Sequence, residues 1–264
     1  MTTLYVTSST REMYRFSGKT MLKTFLLHNQ ADILYCTEKF ALPGKMDSRV
    51  HVYDLKDSDY LNNWLNTFKD DIPVELGGNC INFRSRFDKN SQNWNFKASL
   101  WFRKVASLKA ALDIYGDNYK QIVWVDNDTV IYGALDDKFL DKLYDEKQCF
   151  YFLGEERKMT DAGVESGLMG FKKDHGYTIL TDLFKLYDSG DFRDIRRWDD
   201  GYVIKTLVLG KHDGISNDCG QNIPRPMDDK EIRKVIHHKK GTHAKFRVWD
   251  SRIPNAPISN ITFI

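Results

Sequence analysis

The sequence lacks any apolar stretch close to the roughly 20 residues that a membrane-spanning helix needs. Its opening, Met-Thr-Thr-Leu-Tyr-Val, has no basic segment followed by a long apolar one, as a signal peptide would have. Cys-x-x-Cys pairs are also absent, because the four cysteines lie far apart in the chain. These absences predict a cytoplasmic protein with reduced thiols, no zinc motif and no membrane span.

An excess of charge of one sign is missing as well. Lysine and arginine number 39 against 37 aspartates and glutamates, a formal charge of +2, which does not by itself favour a nucleic-acid or membrane partner. The 6 prolines and 17 glycines are spread along the chain without a linker or an internal repeat. We therefore predict one domain over residues 1–264, in an oligomeric state that the sequence leaves open.

Short apolar strands alternate with helical patterns through most of the chain, which predicts an α/β fold with an open, mostly parallel sheet flanked by helices. The predicted strands are Thr3–Val6, Ile33–Cys36, Val50–Tyr53, Ile122–Val125 and Cys149–Leu153. The predicted helices are Met13–Leu26, Tyr60–Phe68, Phe96–Ile114, Leu135–Tyr144, His175–Tyr187 and Trp198–Val208. Residues 210–227 contain few apolar side chains, and we expect a long surface loop there.

Asp126 and Asp128 directly follow the most apolar strand, Ile122–Val125. In open α/β sheets, ligands lie beyond the carboxyl ends of the strands, so this turn is well placed for chemistry. Two carboxylates at a strand end can approach one hard divalent cation, and such ions often hold a diphosphate as well. The pair therefore predicts a magnesium or manganese site, with an ordinary turn as the alternative.

A second candidate segment contains three histidines and several lysines, from His237 and His238 to His243 and Lys245. A neutral imidazole can complete the coordination of a manganese ion, and lysines beside Gly241 would suit phosphate oxygens. The alternative is a solvated basic tail. The residues alone leave open which of the three histidines binds the metal.

Two further acidic positions are candidates for catalysis. Glu165 opens a glycine-containing segment that ends at Phe171, and it is available as a base, a nucleophile or a hydroxyl acceptor. Asp199 and Asp200 stand at the start of a predicted helix, where Asp199 is equally suited to an N-cap. We expect Asp200 to orient an acceptor or to assist removal of its proton.

Together these segments resemble GT-A glycosyltransferases that use nucleoside-diphosphate sugars, with glycosyltransferase family 8 and its capsular-polysaccharide relatives nearest. The matching segments follow the family order: Trp101–Val105 like the donor-side helix, Trp124–Val130 like the DxD strand, Glu165–Phe171 like the Glu-[Thr/Ser]-Gly segment, Asp199–Asp200 like the later acidic site, and His238–Lys245 like the His-x-x-Gly-x-x-Lys signature. The resemblance covers residues 1 to about 245.

The resemblance implies a role for each matched position. Asp128 and His238 would bind the metal, and Asp126 would lie near both the metal and the donor ribose. The implied donor-binding residues also include Thr7, Ser8, Lys104, Asn127, Gly241 and Lys245. One extra residue separates Gly241 from Lys245, so His243 or Lys240 could take their roles. Residues 228–264 would form a basic segment closing over the donor site.

The implied function is transfer of a hexosyl or pentosyl group, with Mn²⁺ or Mg²⁺, from a nucleotide-sugar donor, expected to be a UDP-sugar. The acceptor hydroxyl would belong to a glycan or to hydroxymethylcytosine in phage DNA. In the second case the enzyme would act in the host cytoplasm. Glu165 and Asp200 would hold hydroxyl groups of the donor side.

Two other functions fit parts of the sequence. A haloacid-dehalogenase-type phosphatase would use Asp126 and Asp128, although that motif usually opens its domain and here half of the chain precedes it. A non-enzymatic domain that binds nucleic acid or another polyanion would use the basic segment 230–245 and several arginines: Arg84, Arg86, Arg193, Arg196 and Arg197. The balanced net charge weakens this second alternative.

Overall fold

The structure is a computed structural model that describes residues 2–69, 98–159, 162–220 and 229–238. Within these ranges, a large sheet and a separate two-stranded ribbon are formed. In chain order the strands are β1 Thr3–Thr10, β2 Asp32–Glu38, β3 Val50–Asp54, β4 Gln121–Val125, β5 Thr129–Ile131, β6 Cys149–Tyr151, β7 Leu168–Lys172, β8 Ser216–Asp218 and β9 Ile236–His238. The large sheet has the order β3-β2-β1-β4-β7-β6-β8, and the ribbon pairs β5 with β9.

Most neighbouring strands of the large sheet run parallel. β1 pairs in parallel with β2 and β4, β2 with β3, and β6 with β8. β7 runs antiparallel to both of its neighbours, β4 and β6. Because of this reversal, Leu168 at the start of β7 lies opposite Val125 at the end of β4. The residues before β7 therefore come close to the acidic turn that follows β4.

Helices cover both faces of the large sheet. They are α1 Arg11–Met13, α2 Lys19–His28, α3 Asp59–Phe68, α4 Ala98–Tyr115, α5 Asp137–Tyr144, α6 Glu155–Lys158, α7 His175–Ser189, α8 Asp200–Leu209 and α9 Ile232–Val235. A π-helical turn, Tyr14–Gly18, joins α1 to α2. The predicted α/β class, with a mostly parallel sheet between helices, is confirmed by this arrangement.

Each face of the sheet packs against its own apolar core. In β4, Ile122 and Trp124 belong to the core that α3, α4, α7 and α8 cover, whereas Val123 and Val125 belong to the core covered by α2 and α5. Successive residues of a strand point to opposite faces, so a strand that is buried on both sides has a nearly continuous apolar sequence. All five residues of β4 are buried, which explains why its sequence gave so clear a strand signal.

Two predictions about chain organisation were wrong. Thr7 and Ser8 do not follow the first strand but lie inside it, because β1 stays paired with β2 as far as Thr10. Residues 210–227 are not simply a loop, since Ser216–Asp218 forms β8 beside β6. This short edge strand is polar and Asn217 anchors it through a hydrogen bond to the Leu143 carbonyl, so no apolar pattern marks it in the sequence.

The basic segment predicted at residues 230–245 is ordered where the structure describes it. Ile232–Val235 forms α9, and Ile236–His238 forms β9 on β5. Gly241, His243 and Lys245, like Lys240, Arg84 and Arg86, lie outside the described residues, as does most of the predicted closing segment 228–264. Across the described ranges, no helix has both the length and the apolar character that crossing a membrane demands.

Candidate metal and active site

The candidate site lies where β4 ends and β7 begins. The Asp126 amide donates to the Gly167 carbonyl at 2.9 Å, which fixes the acidic turn against the segment before β7. The Thr129 hydroxyl and amide both donate to the Asp126 carbonyl, at 2.8 and 3.2 Å, and close the turn into β5. Asp126 and Asp128 are therefore presented from a tightly hydrogen-bonded turn at the carboxyl end of a buried strand.

His238 reaches this turn through the β5–β9 ribbon, in which it pairs with Thr129. Its Nε2 lies 3.0 Å from Asp128 Oδ1 and 3.4 Å from Asp126 Oδ2. One ligand atom from each of the three side chains falls within 4.8 Å of the others. His237 pairs with Val130, and as the adjacent strand residue it points to the opposite side of the ribbon.

The chemistry of these three side chains fits a manganese or magnesium ion. Carboxylate oxygens suit both ions, and a single imidazole nitrogen is well tolerated by manganese. Three protein ligands also leave coordination positions for oxygens of a substrate. In the described chain, this is the group of histidine, cysteine and acidic side chains that is close enough to share one ion.

The His238 imidazole is strongly influenced by the acids around it. Burial acts to lower its pKa, but the Asp128 carboxylate, which accepts a hydrogen bond from the imidazole, the neighbouring Glu165 carboxylate and the negative charge of Asp126 together raise the pKa to about 10. An imidazolium here balances part of the carboxylate charge when no cation is bound. The arrangement is thus one that favours positive charge at the acidic turn.

Lys104, on α4, connects Asp126 to Asp200. Its ammonium lies 3.1 Å from Asp126 Oδ1 and 2.7 Å from Asp200 Oδ2. It also donates to the Ser166 carbonyl and hydroxyl, both at 3.0 Å, and lies 4.9 Å from the centre of the Trp124 ring. Burial lowers the pKa of Lys104, yet the two carboxylates outweigh it and raise that pKa overall. Its contact with a donor stays a prediction, since these ammonium contacts are with the protein itself.

Asp199 and Asp200 begin α8 but differ in their surroundings. Asp199 is the N-cap, accepting from the Tyr202 amide at 3.1 Å and from Arg197 Nε at 2.8 Å. Burial raises the pKa of Asp199, although Arg197 opposes the shift. Asp200 is 2% exposed and pairs with Lys104. Its predicted action on an acceptor is not tested by these contacts.

The end of β1 is tied to the acidic turn by Asn127, whose Nδ2 donates to the Ser8 carbonyl at 2.8 Å. Thr7 is fully buried, and its hydroxyl finds no hydrogen-bond partner among the described residues. The structure therefore brings the acidic turn and Ser8 together. Their contact with a donor remains a prediction.

Sequence reasoning missed Arg157, which contacts Glu165, and Lys205, which holds the segment that carries Arg157. Arg157 Nη1 lies 3.4 Å from Glu165 Oε2, and Lys205 donates to carbonyls of the segment that carries Arg157. Arg157 sits on a four-residue helix, too short to show periodicity, and Lys205 lies in an otherwise apolar helix. The signal available in the sequence was the lysine within the apolar pattern of α8, because a buried lysine needs hydrogen-bond partners.

Replacing Gly167 by alanine is expected to weaken manganese binding by at least about tenfold. A Cβ at this position would lie 2.5 Å from His238 Nδ1 and 2.7 Å from its Cε1, so the ring must shift from the position in which its Nε2 faces the two aspartates. Inserting a methyl group into such a tight contact costs typically about 1–3 kcal/mol. Titration of Mn²⁺ followed by electron paramagnetic resonance measures the change.

Gly214→Ala is the matched control, because no described atom lies within 4 Å of a Cβ at that position. Its manganese affinity is expected to equal that of the unsubstituted protein. Equal affinities for the two alanine variants would contradict the placement of His238 beside Gly167.

No protein-family profile and no curated protein matches the sequence. Among solved structures, the apo form of mouse xyloside xylosyltransferase 1 is similar to 83% of this chain and 85% of its own, with 11% identity and a TM-score of 0.45. A glycosyltransferase involved in the glycosylation of the major capsid of PBCV-1 is similar over 93% and 97%, with 12% identity and a TM-score of 0.49. Identities this low do not identify a reaction or a substrate for this chain.

Proposed function

We propose that this chain is a metal-dependent glycosyltransferase that moves a sugar from a nucleoside-diphosphate sugar to an acceptor hydroxyl. The observation that carries the proposal is the cluster of Asp126, Asp128 and His238 at the carboxyl end of β4. Its oxygen and imidazole ligands suit Mn²⁺ or Mg²⁺, and ions of this kind bind protein carboxylates together with substrate phosphates.

The proposed chemistry divides into a leaving-group side and an acceptor side. When bound, the metal supplies positive charge that stabilises the charge developing on the departing diphosphate. Lys104 holds Asp126 in place beside this site, at 3.1 Å. Gly241 and Lys245, outside the described residues, are proposed to contact the diphosphate. On the acceptor side, Asp200 is proposed to orient the hydroxyl that attacks the sugar.

The donor that we propose is a UDP-sugar, and the acceptor is a glycan in preference to modified DNA. Two arginines expected on a DNA-binding face already contact the protein itself. Arg193 stacks on Phe68, 4.7 Å from the ring centre, and Arg197 pairs with Asp199. Side chains committed to internal packing offer less to a phosphate backbone, which favours the glycan.

The proposal is tested by measuring nucleoside-diphosphate release from a panel of UDP- and GDP-sugars, first alone and then with glycan acceptors. We expect release to fall about 100-fold or more when the metal is chelated and to recover with added Mn²⁺, because charge stabilisation by the ion is worth several kcal/mol. The panel also identifies the donor.

Other outcomes would overturn the proposal in different ways. Hydrolysis of p-nitrophenyl phosphate without any diphosphate release would indicate the phosphatase alternative. DNA binding that weakens steeply with salt, again without release, would indicate a polyanion-binding domain. Release that is indifferent to chelation would show a transferase without the proposed metal.

A further inference from the structure

Glu165 lies on the far side of His238 from the two aspartates. We infer that Glu165 is a positioning residue, which holds the His238 imidazole so that its Nε2 faces Asp126 and Asp128. This inference rests on the metal site of the proposed function and deepens it. It differs from the role implied by the sequence resemblance, in which Glu165 contacts hydroxyl groups of the donor side.

The two ring nitrogens of His238 face different carboxylates. Nε2 is directed at Asp128 and Asp126, whereas Nδ1 lies 3.6 Å from Glu165 Oε1. An imidazole that ligates a metal through Nε2 must carry its proton on Nδ1. A carboxylate facing Nδ1 accepts that proton in a hydrogen bond, which selects the tautomer and fixes the orientation of the ring.

Nδ1 is buried and makes no hydrogen bond within the described part of the chain. Gly167 borders the ring and would clash with Nδ1 if it carried a Cβ. Glu165 is therefore the acceptor to which the Nδ1 proton points. At 3.6 Å, the pair needs to shorten by a few tenths of an ångström to form an ordinary hydrogen bond.

Glu165 is itself fixed in position. Its amide donates to the Phe152 carbonyl at 2.6 Å, and its side chain is 7% exposed. Arg157 Nη1 lies 3.4 Å from Oε2, whereas His238 faces the other carboxylate oxygen, Oε1. A buried carboxylate between a guanidinium and an imidazole has little freedom to turn towards a sugar.

The short helix α6, which carries Arg157, is itself held in position by hydrogen bonds. The ammonium of Lys205, buried in α8, donates to the carbonyls of Arg157, Lys158 and Ala162 at 3.1–3.2 Å. Asp218, at the end of β8, accepts from the Leu153 amide at 2.9 Å, just before α6. These contacts fasten both ends of α6, so Arg157 is presented to Glu165 from a fixed element.

The test is the affinity for Mn²⁺ alone, measured by electron paramagnetic resonance of the free ion without donor or acceptor. Removal of a carboxylate that hydrogen-bonds a metal-binding histidine typically weakens metal affinity 10- to 100-fold. We expect the manganese affinity of Glu165→Ala to fall by about that factor. Glu165→Gln keeps an oxygen that accepts the Nδ1 proton and is expected to bind within a fewfold of the unsubstituted protein. Glu155→Ala, an exposed site on the same helix as Arg157, is the control.

A second measurement separates positioning from donor contact. Saturating manganese is expected to restore most of the diphosphate release of Glu165→Ala, because only the occupancy of the metal site was lowered. If diphosphate release by Glu165→Ala stays low at saturating manganese and its donor KM is raised, the inference is overturned in favour of direct donor contact. Unchanged manganese affinity in Glu165→Ala would overturn it as well.

Glu165→Asp provides a decisive measurement if Glu165→Ala does not fold, because it withdraws the carboxylate from Nδ1 by one methylene and keeps the charge. We expect several-fold weaker manganese binding, and an unchanged affinity would overturn the inference. Failure of the unsubstituted protein to bind manganese would overturn the proposed metal site together with this inference. Failure confined to the Glu165 variants concerns the inference alone.

Discussion

Asp128→Ala is expected to lower manganese-dependent release of nucleoside diphosphate by about 1,000-fold. The substitution removes one of the three ligands, and one of the two that carry negative charge. The several kcal/mol that a bound metal contributes to catalysis correspond to a factor of this size. Asp128 is 4% exposed, and its Oδ1 lies 3.0 Å from His238 Nε2.

The measurement is the initial rate of diphosphate release at a fixed, saturating manganese concentration, with circular dichroism to verify the fold. Asp113→Ala is the matched control, since Asp113 is an exposed aspartate on α4 that pairs with Lys109. We expect the control to keep the full rate. A folded Asp128→Ala protein with more than a tenth of the original rate would argue against Asp128 as a ligand.

Lys104→Met is expected to lower the free energy of unfolding by about 3–5 kcal/mol, the usual cost of removing one partner from a buried ion pair. Methionine has a similar length and an apolar end, so the packing along Trp124 is largely kept. The stability falls because Asp200 is 2% exposed and the substitution removes the ammonium that lies 2.7 Å from its carboxylate. A buried carboxylate is then left without its ion-pair partner. Urea unfolding followed by tryptophan fluorescence measures the change in stability.

Two further variants make this result specific. Lys142→Met places the same substitution at an exposed position of α5, and we expect a change within about 0.5 kcal/mol. Adding Asp200→Asn to Lys104→Met removes the uncompensated charge and is expected to recover about 1 kcal/mol or more. A double variant no more stable than Lys104→Met would show that packing, and not charge, dominates the loss.

The sheet was largely predictable because its central strands are buried on both faces. Ile122–Val125 is apolar throughout, and the position of Asp126 after it follows from the general location of ligands in such sheets. β8 was not predictable, because Ser216–Asp218 is short, polar and held by hydrogen bonds at an edge. Apolar periodicity carries no information about a strand of that kind.

For the candidate site, the resemblance led us to expect the group around Asp128 and His238, but the contacts behind that group could not be predicted. Asp128 and His238 were expected to share a metal from the resemblance, and the structure brings them within 3.0 Å. The contact between Glu165 and Arg157 depends on where a four-residue helix lies, and that is set by contacts with other elements. Lys104 was expected at the donor, and that contact stays a prediction; its ion pairs with Asp126 and Asp200 depend on tertiary packing and could not be read from the sequence.

The β5–β9 ribbon has a consequence for how metal binding and folding are connected. Within the described residues three residue pairs join these strands, and their partners stand about a hundred residues apart in the chain. In the unfolded chain, bringing such distant ligands together costs on the order of 4 kcal/mol in loop entropy. A divalent ion on Asp128 and His238 would act as a non-covalent cross-link across that loop, and ribbon stability would rise with the logarithm of its concentration. The catalytic ion would then also stabilise the pairing of β9 with β5.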